Sequence, residues 1–126
     1  MSVLPPLGEM ITFSPNKNIP IHRWFYYREG YSKAFVEWAV QTYSLKGPLL
    51  DPFCGVGTTL LACKELGIES LGCDVSPLTR FVAETKVKNY DVPLLQEELA
   101  ALKKQSFDFP REGKSDTWVA KRFHPQ

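Results

Sequence analysis

Apolar positions recur along the chain with a helical period in four places, and two short apolar runs interrupt them. Phe35, Trp38, Ala39 and Thr42 fall at i, i+3, i+4 and i+7, one face of a helix from about Lys33 to Ser44 with Ser32 as its cap. That face is expected to pack on a sheet, which places Trp38 in the core. Leu49-Leu50 then runs into Asp51-Pro52, and a strand must stop there because proline cannot donate to a sheet ladder. From Thr58, Leu60, Leu61 and Ala62 with Lys64 and Glu65 read as a second helix, which Gly67 can close. Ile68 to Asp74 is short enough for a second buried strand. Ser76-Pro77 opens a third helix, with Ser76 as cap and Pro77 in its first position. Its apolar side is Leu78, Phe81, Val82 and Val87, and Arg80, Glu84, Lys86 and Lys88 form a solvated face. Asn89-Tyr90-Asp91 breaks it. A fourth helix from about Val92 to Lys104 carries Leu94, Leu95, Leu99 and Leu102, with Glu97, Glu98, Lys103 and Lys104 outward. The pattern predicts an α/β chain: a strand-loop-helix-strand core with flanking helices and an incomplete sheet, since only two strands can be placed.

The two ends read differently. Residues 1–31 are expected to form an extended, aromatic-rich arm, because Pro5, Pro6, Pro15 and Pro20 punctuate the first part and Trp24, Phe25, Tyr26, Tyr27 and Tyr31 crowd the second. These rings suit either a stacking wall for a ligand, with Arg23 and Arg28 near phosphate, or anchors that fix the arm to the core. Residues 32–104 are the α/β domain. Residues 105–126 form a tail in which Phe107, Phe109, Trp118 and Phe123 either pack back or meet another chain.

Composition narrows the function classes. With 44% hydrophobic and 23% charged residues in 126, the chain can form one modest domain with a core and is not wholly disordered. A net charge of +1 gives no general attraction for nucleic acid, so any DNA contact is local or supplied by a partner. Cys54, Cys63 and Cys73 lack paired metal spacing and are expected as buried, reduced thiols. No metal ligand is assigned. The N-terminus has no basic region before its proline-broken apolar stretch, so no signal peptide is expected there. No run is long enough to span a bilayer, and a cytoplasmic protein is expected.

The candidate chemistry lies between the two strands. Gly55 and Gly57 allow a tight turn, and the helix after them presents its first N–H groups to whatever rests on the loop. Asp74 follows Gly55 by nineteen positions, the spacing at which an acid at the end of a second strand reaches ribose hydroxyls. Leu60 replaces the third glycine of a dinucleotide fingerprint. That favours a nucleoside cofactor without a diphosphate.

The run Asp51-Pro52-Phe53-Cys54-Gly55-Val56-Gly57-Thr58-Thr59, followed by Gly67, Gly72 and Asp74-Val75-Ser76-Pro77, resembles the S-adenosylmethionine-binding half of DNA methyltransferases that modify adenine N6 or cytosine N4. RNA guanine methyltransferases share a similar Asp-Pro-Phe-Cys-Gly run, while Thr58-Thr59 and Asp74-Val75-Ser76-Pro77 favour the DNA group. The resemblance covers about residues 20–90 and implies a partial Rossmann-like methyltransferase fold. Its implied cofactor site is Asp51, Pro52, Phe53, Cys54, Gly55, Gly57, Thr58, Thr59, Asp74 and Val75. In this site Asp51 orients the cofactor's amino end, Gly55 and Gly57 admit its methionine part, and the following helix takes its carboxylate. Asp74 accepts two hydrogen bonds from the ribose, and Phe53 and Val75 flank the adenine. The family places an Asp, Asn or Ser before Pro-Pro-aromatic to bind the target amine. No such tetrapeptide occurs, since Leu4-Pro5-Pro6-Leu7 has neither acceptor nor ring, and no catalytic residue is assigned. The implied partners are DNA, through a complete enzyme, and a second chain carrying the catalytic half, or else a homo-oligomer. An RNA methyltransferase fragment and a non-catalytic cofactor-binding module stay open beside this reading.

Overall fold

A computed structural model describes residues 6–105. Helix α1 (Leu7–Met10) leads into two 3-10 turns, Ser14–Asn18 and His22–Trp24. Then follow α2 (Lys33–Thr42), β1 (Leu49–Asp51), α3 (Thr58–Leu66), β2 (Ser70–Gly72), α4 (Pro77–Val87) and α5 (Val92–Lys104). The chain divides into two compact units after Asn89. In the first, β1 and β2 pair in parallel, Leu49 opposite Ser70, Leu50 opposite Leu71 and Asp51 opposite Gly72. Helix α3 is the crossover between them, as a parallel pair requires.

Local chemistry explains the boundaries. Ser32 accepts from the Phe35 N–H at 3.4 Å, Ser76 from Thr79 at 3.4 Å and Asp91 from Leu94 at 3.1 Å, so three helices begin on side-chain caps. Gly67 ends α3 with φ +70°, a left-handed closure that glycine adopts without strain. The core forms where α2 and α3 meet: Val36, Ala62 and Cys63 are buried, with Tyr31, Val40, Leu49 and Ile68 packed around them.

Several expectations are corrected. The buried positions at the start of α2 are Ser32 and Val36, with Val40 half-buried, whereas Thr42 is exposed. The narrow side chain of Val36 lets α2 approach α3. Its rings form a half-exposed row instead, Phe35 stacked on Trp38 at 5.7 Å and Trp38 edge-on to Tyr43 at 6.2 Å. Trp38 is therefore not in the core. Helix α4 likewise turns Thr79, Ala83 and Lys86 inward and leaves Leu78 and Phe81 out. Lys86, expected in solvent, is 3% exposed.

The N-terminal segment, expected to be extended, is folded where it is described. Pro6 and Pro15 stand at the starts of short helices, where a missing N–H costs nothing. Met10, Phe13, Asn16 and His22 are buried. Asn16 ties the segment down: its Nδ2 donates to the Tyr31 carbonyl at 3.1 Å and its Oδ1 accepts from the Lys33 N–H at 2.9 Å. Among the three cysteines, Cys54 and Cys63 are buried as expected but Cys73 is exposed. The second unit contributes α5, whose leucines are all exposed. The expected tail at 105–126 lies, except for Gln105, outside the described residues. Among the described residues no helix is long and apolar enough to cross a membrane.

Candidate functional site

Asp51 ends β1, and the chain turns through Pro52 to Gly57 before α3 begins. The Gly57 N–H closes this loop on the Cys54 carbonyl at 2.8 Å. Gly55 and Gly57 have φ of +50° and +78°, a region that side chains rarely enter. Space excludes a side chain as well. A Cβ on Gly55 would lie 2.9 Å from the Tyr27 ring, and one on Gly57 would lie 2.8 Å from Ala83 Cβ. Both glycines thus let neighbouring parts of the protein close on the loop.

The loops after the two strands are laced together. Cys73 donates to the Asp51 carbonyl and Cys54 to the Cys73 carbonyl, each at 2.9 Å. Gly55 N–H donates to Asp74 Oδ2 at 2.9 Å. Asp74 Oδ1 accepts from the Ser76 N–H at 2.9 Å and from the Thr79 hydroxyl at 2.7 Å. The Ser76 N–H, the Thr79 hydroxyl and the Gly55 N–H hold the Asp74 carboxyl below its ordinary range, because each donor favours the charged form. A carboxylate offers about four acceptor sites. Three are taken by this chain.

Asp51 is held at its other end. Its Oδ1 accepts from the Phe53 N–H at 3.2 Å, and its Oδ2 accepts from the Tyr31 hydroxyl at 2.8 Å. Tyr31 also shares a short hydrogen bond with the Thr59 hydroxyl. Burial is the main reason the Tyr31 phenol is pushed up to about 12, so it keeps its proton. No side chain caps α3, so its first-turn N–H groups are left without a side-chain acceptor, a helix start suited to an anion. Phe53 is 85% and Val75 100% exposed. Cys54 is buried, and its thiol is pushed up first by burial, which disfavours a reactive thiolate.

Two grooves flank the loop. One, of about 300 Å³, has Tyr31, Asp51 and Thr59 at its polar end and an apolar floor that includes Phe35, Val40 and Leu50. The other, of similar size, is lined by Asp74, Val75, Pro77, Arg80, Phe81 and Glu84. Every residue expected at the site lies on this one strand-loop-helix-strand unit or in the loop just after it, with Asp51 ending β1 and Asp74 two residues past β2. Tyr27, Tyr31 and Thr79 were not assigned to it from the sequence. Thr79 had a signal, standing three residues after the cap Ser76. The crowding of rings before Ser32 marked Tyr27 and Tyr31 without showing that they brace the loop.

A glycine loop thus joins a parallel strand to its crossover helix, with one carboxylate at the end of β1 and another just after β2. Residues 12–80 match the family model described as DNA methylase, the N6/N4 methyltransferases. The chain belongs to this N6/N4 DNA methylase family. It is 35% identical over 118 residues to the type II methyltransferase M.BsoBI of Geobacillus stearothermophilus, covering 92% of this chain and 22% of that protein. It is 36% identical over 80 residues to M.AvaI of a Nostoc species, covering 62% and 17%. M.MjaII of Methanocaldococcus jannaschii is 32% identical over 100 residues, covering 79% and 19%. The chain thus spans about a fifth of the length of these curated relatives. No solved structure matches it.

Proposed function

We propose that this chain is the S-adenosylmethionine-binding part of a methyltransferase acting on exocyclic amino groups of DNA. The observation that carries the reading is the pair Asp51 and Asp74, one ending β1 and the other two residues past the adjacent parallel strand β2, with an uncapped helix start between them. The residues suit the cofactor's two polar ends. Asp51 and Thr59 offer acceptors to the methionine ammonium, and the first N–H groups of α3 suit its carboxylate. Asp74 accepts one ribose hydroxyl with its remaining lone pair, a charge-assisted bond. Val75 and Phe81 line the groove beside it, where the adenine has apolar cover, and Phe53 stands exposed on the loop. The remaining members of the site, Pro52, Cys54, Gly55, Gly57 and Thr58, shape the backbone. When bound, the cofactor supplies an activated methyl group. This chain's part is to hold and orient it.

Transfer to an exocyclic amine needs acceptors for the amine hydrogens and stacking for an extruded base, and the tetrapeptide that supplies these in the family is absent from the sequence. We place it outside these 126 residues, in the part of the relatives' length that they do not span. Calorimetric titration of the 126-residue chain with S-adenosylmethionine tests the reading, with Asp74→Ala as control. Saturable binding that the variant loses supports it. Absence of binding by the unaltered chain, or undiminished binding by the variant, overturns it.

A further inference from the structure

The hydroxyl of Tyr31 touches both sides of the loop at once, Asp51 at the end of β1 and Thr59 in the first turn of α3. It carries a single proton, and an ionised carboxylate can only accept, so that proton goes to Asp51. The Thr59 hydroxyl must then donate to the Tyr31 oxygen. The direction runs from Thr59 to Tyr31 to Asp51. Both ends of this relay therefore present lone pairs to the groove, and neither presents a hydrogen. The tyrosine is itself well fixed: the Asn16 amide holds its carbonyl, and the next residue, Ser32, donates from both its N–H and its hydroxyl to the Met10 carbonyl at 2.9 Å.

We propose that Tyr31 is a positioning residue that turns Asp51 and Thr59 into an acceptor-only cradle for the cofactor's ammonium group. This rests on the cofactor reading above and deepens it at one end of the site. Without the phenol, the Thr59 proton is free to turn into the groove and oppose a cation, and Asp51 loses the donor that aims it.

The test compares two ligands on the full chain by calorimetry: S-adenosylmethionine, and 5′-methylthioadenosine, which lacks the amino acid portion. Tyr31→Phe keeps the ring and removes the relay. It is expected to weaken S-adenosylmethionine about tenfold, the size of one hydrogen bond to a charged group, and to change methylthioadenosine binding less than about twofold. Thr59→Val is expected to show the same selectivity and carries the test if the tyrosine variant does not fold. Thr59→Ser restores the unaltered chain's preference. Asp74→Ala is expected to weaken both ligands and reports on the site as a whole. Equal weakening of both ligands by Tyr31→Phe means a general structural role and overturns the proposal, as does no weakening of either, while the Asp74 result leaves the cofactor reading standing. Binding of neither ligand by the unaltered chain removes both.

Discussion

Lys86 is buried without a carboxylate partner among the described residues, its Nζ donating to the His22 carbonyl at 3.2 Å. Burial pushes its ammonium down to about 8 from 10.5. The unfolded chain therefore binds more protons than the folded one between those two values, and stability rises with pH across that window. Below about pH 8 the penalty is constant. Lys86→Met is expected to raise stability at pH 7 by about 1 to 2 kcal/mol and to flatten the rise, as read from urea denaturation at several pH values. His22 behaves in the same sense lower down. It is 1% exposed, with Glu65 Oε2 3.5 Å from its Nε2, and burial, the largest influence, leaves it below 6.5. As pH falls beneath 6.5 the unfolded chain takes up a proton that the folded chain resists, and stability falls. His22→Phe should remove that acid dependence in the same series of melts.

The helices show how far an amphipathic pattern reaches. Their ends were readable because caps and closures are local: Ser32, Ser76, Gly67 and Pro77 act within a turn of themselves. Their buried faces were not. Hydrophobic periodicity chose Leu78 and Phe81 for α4, but Ala83 is what fits against Gly57, and a close approach of backbones is decided by small side chains rather than apolar ones. Phe35 and Trp38 misled in the same way on α2. The candidate site was readable as far as its loop and its two acids, whose spacing is set by one strand-helix-strand unit. Tyr31 was not, since its contacts span 20 and 28 positions of chain. Two glycines separate strain from packing. Gly67→Ala adds a Cβ into open space at φ +70°, and Gly57→Ala adds one into Ala83 at φ +78°. The first is expected to cost about 1 kcal/mol and the second about 3 or more, measured as the difference in urea midpoint.

A parallel sheet is normally covered on both faces, yet Leu50 and Leu71, directly opposite each other, are each 64% exposed. Beside them runs the groove floored by Phe35, Val40 and Leu45. The chain covers about a fifth of its relatives, and an apolar sheet face left open in this way favours association, as do exposed strand edges. The isolated chain is expected to self-associate with rising concentration in light scattering. The double variant Leu50→Asn/Leu71→Asn should reduce this with an unchanged circular dichroism spectrum. A wild-type chain that stays monomeric at high concentration would count against such an open surface.

The lacing between the loops after β1 and β2 has a kinetic meaning. Amides of Cys54, Gly55 and Cys73 each donate across from one loop to the other, so none can reach solvent until the loops separate. They should exchange for deuterium at one shared rate, in a single opening event. A ligand gripping Asp51 and Asp74 would slow all three by the same factor, and that factor is a direct measure of its affinity.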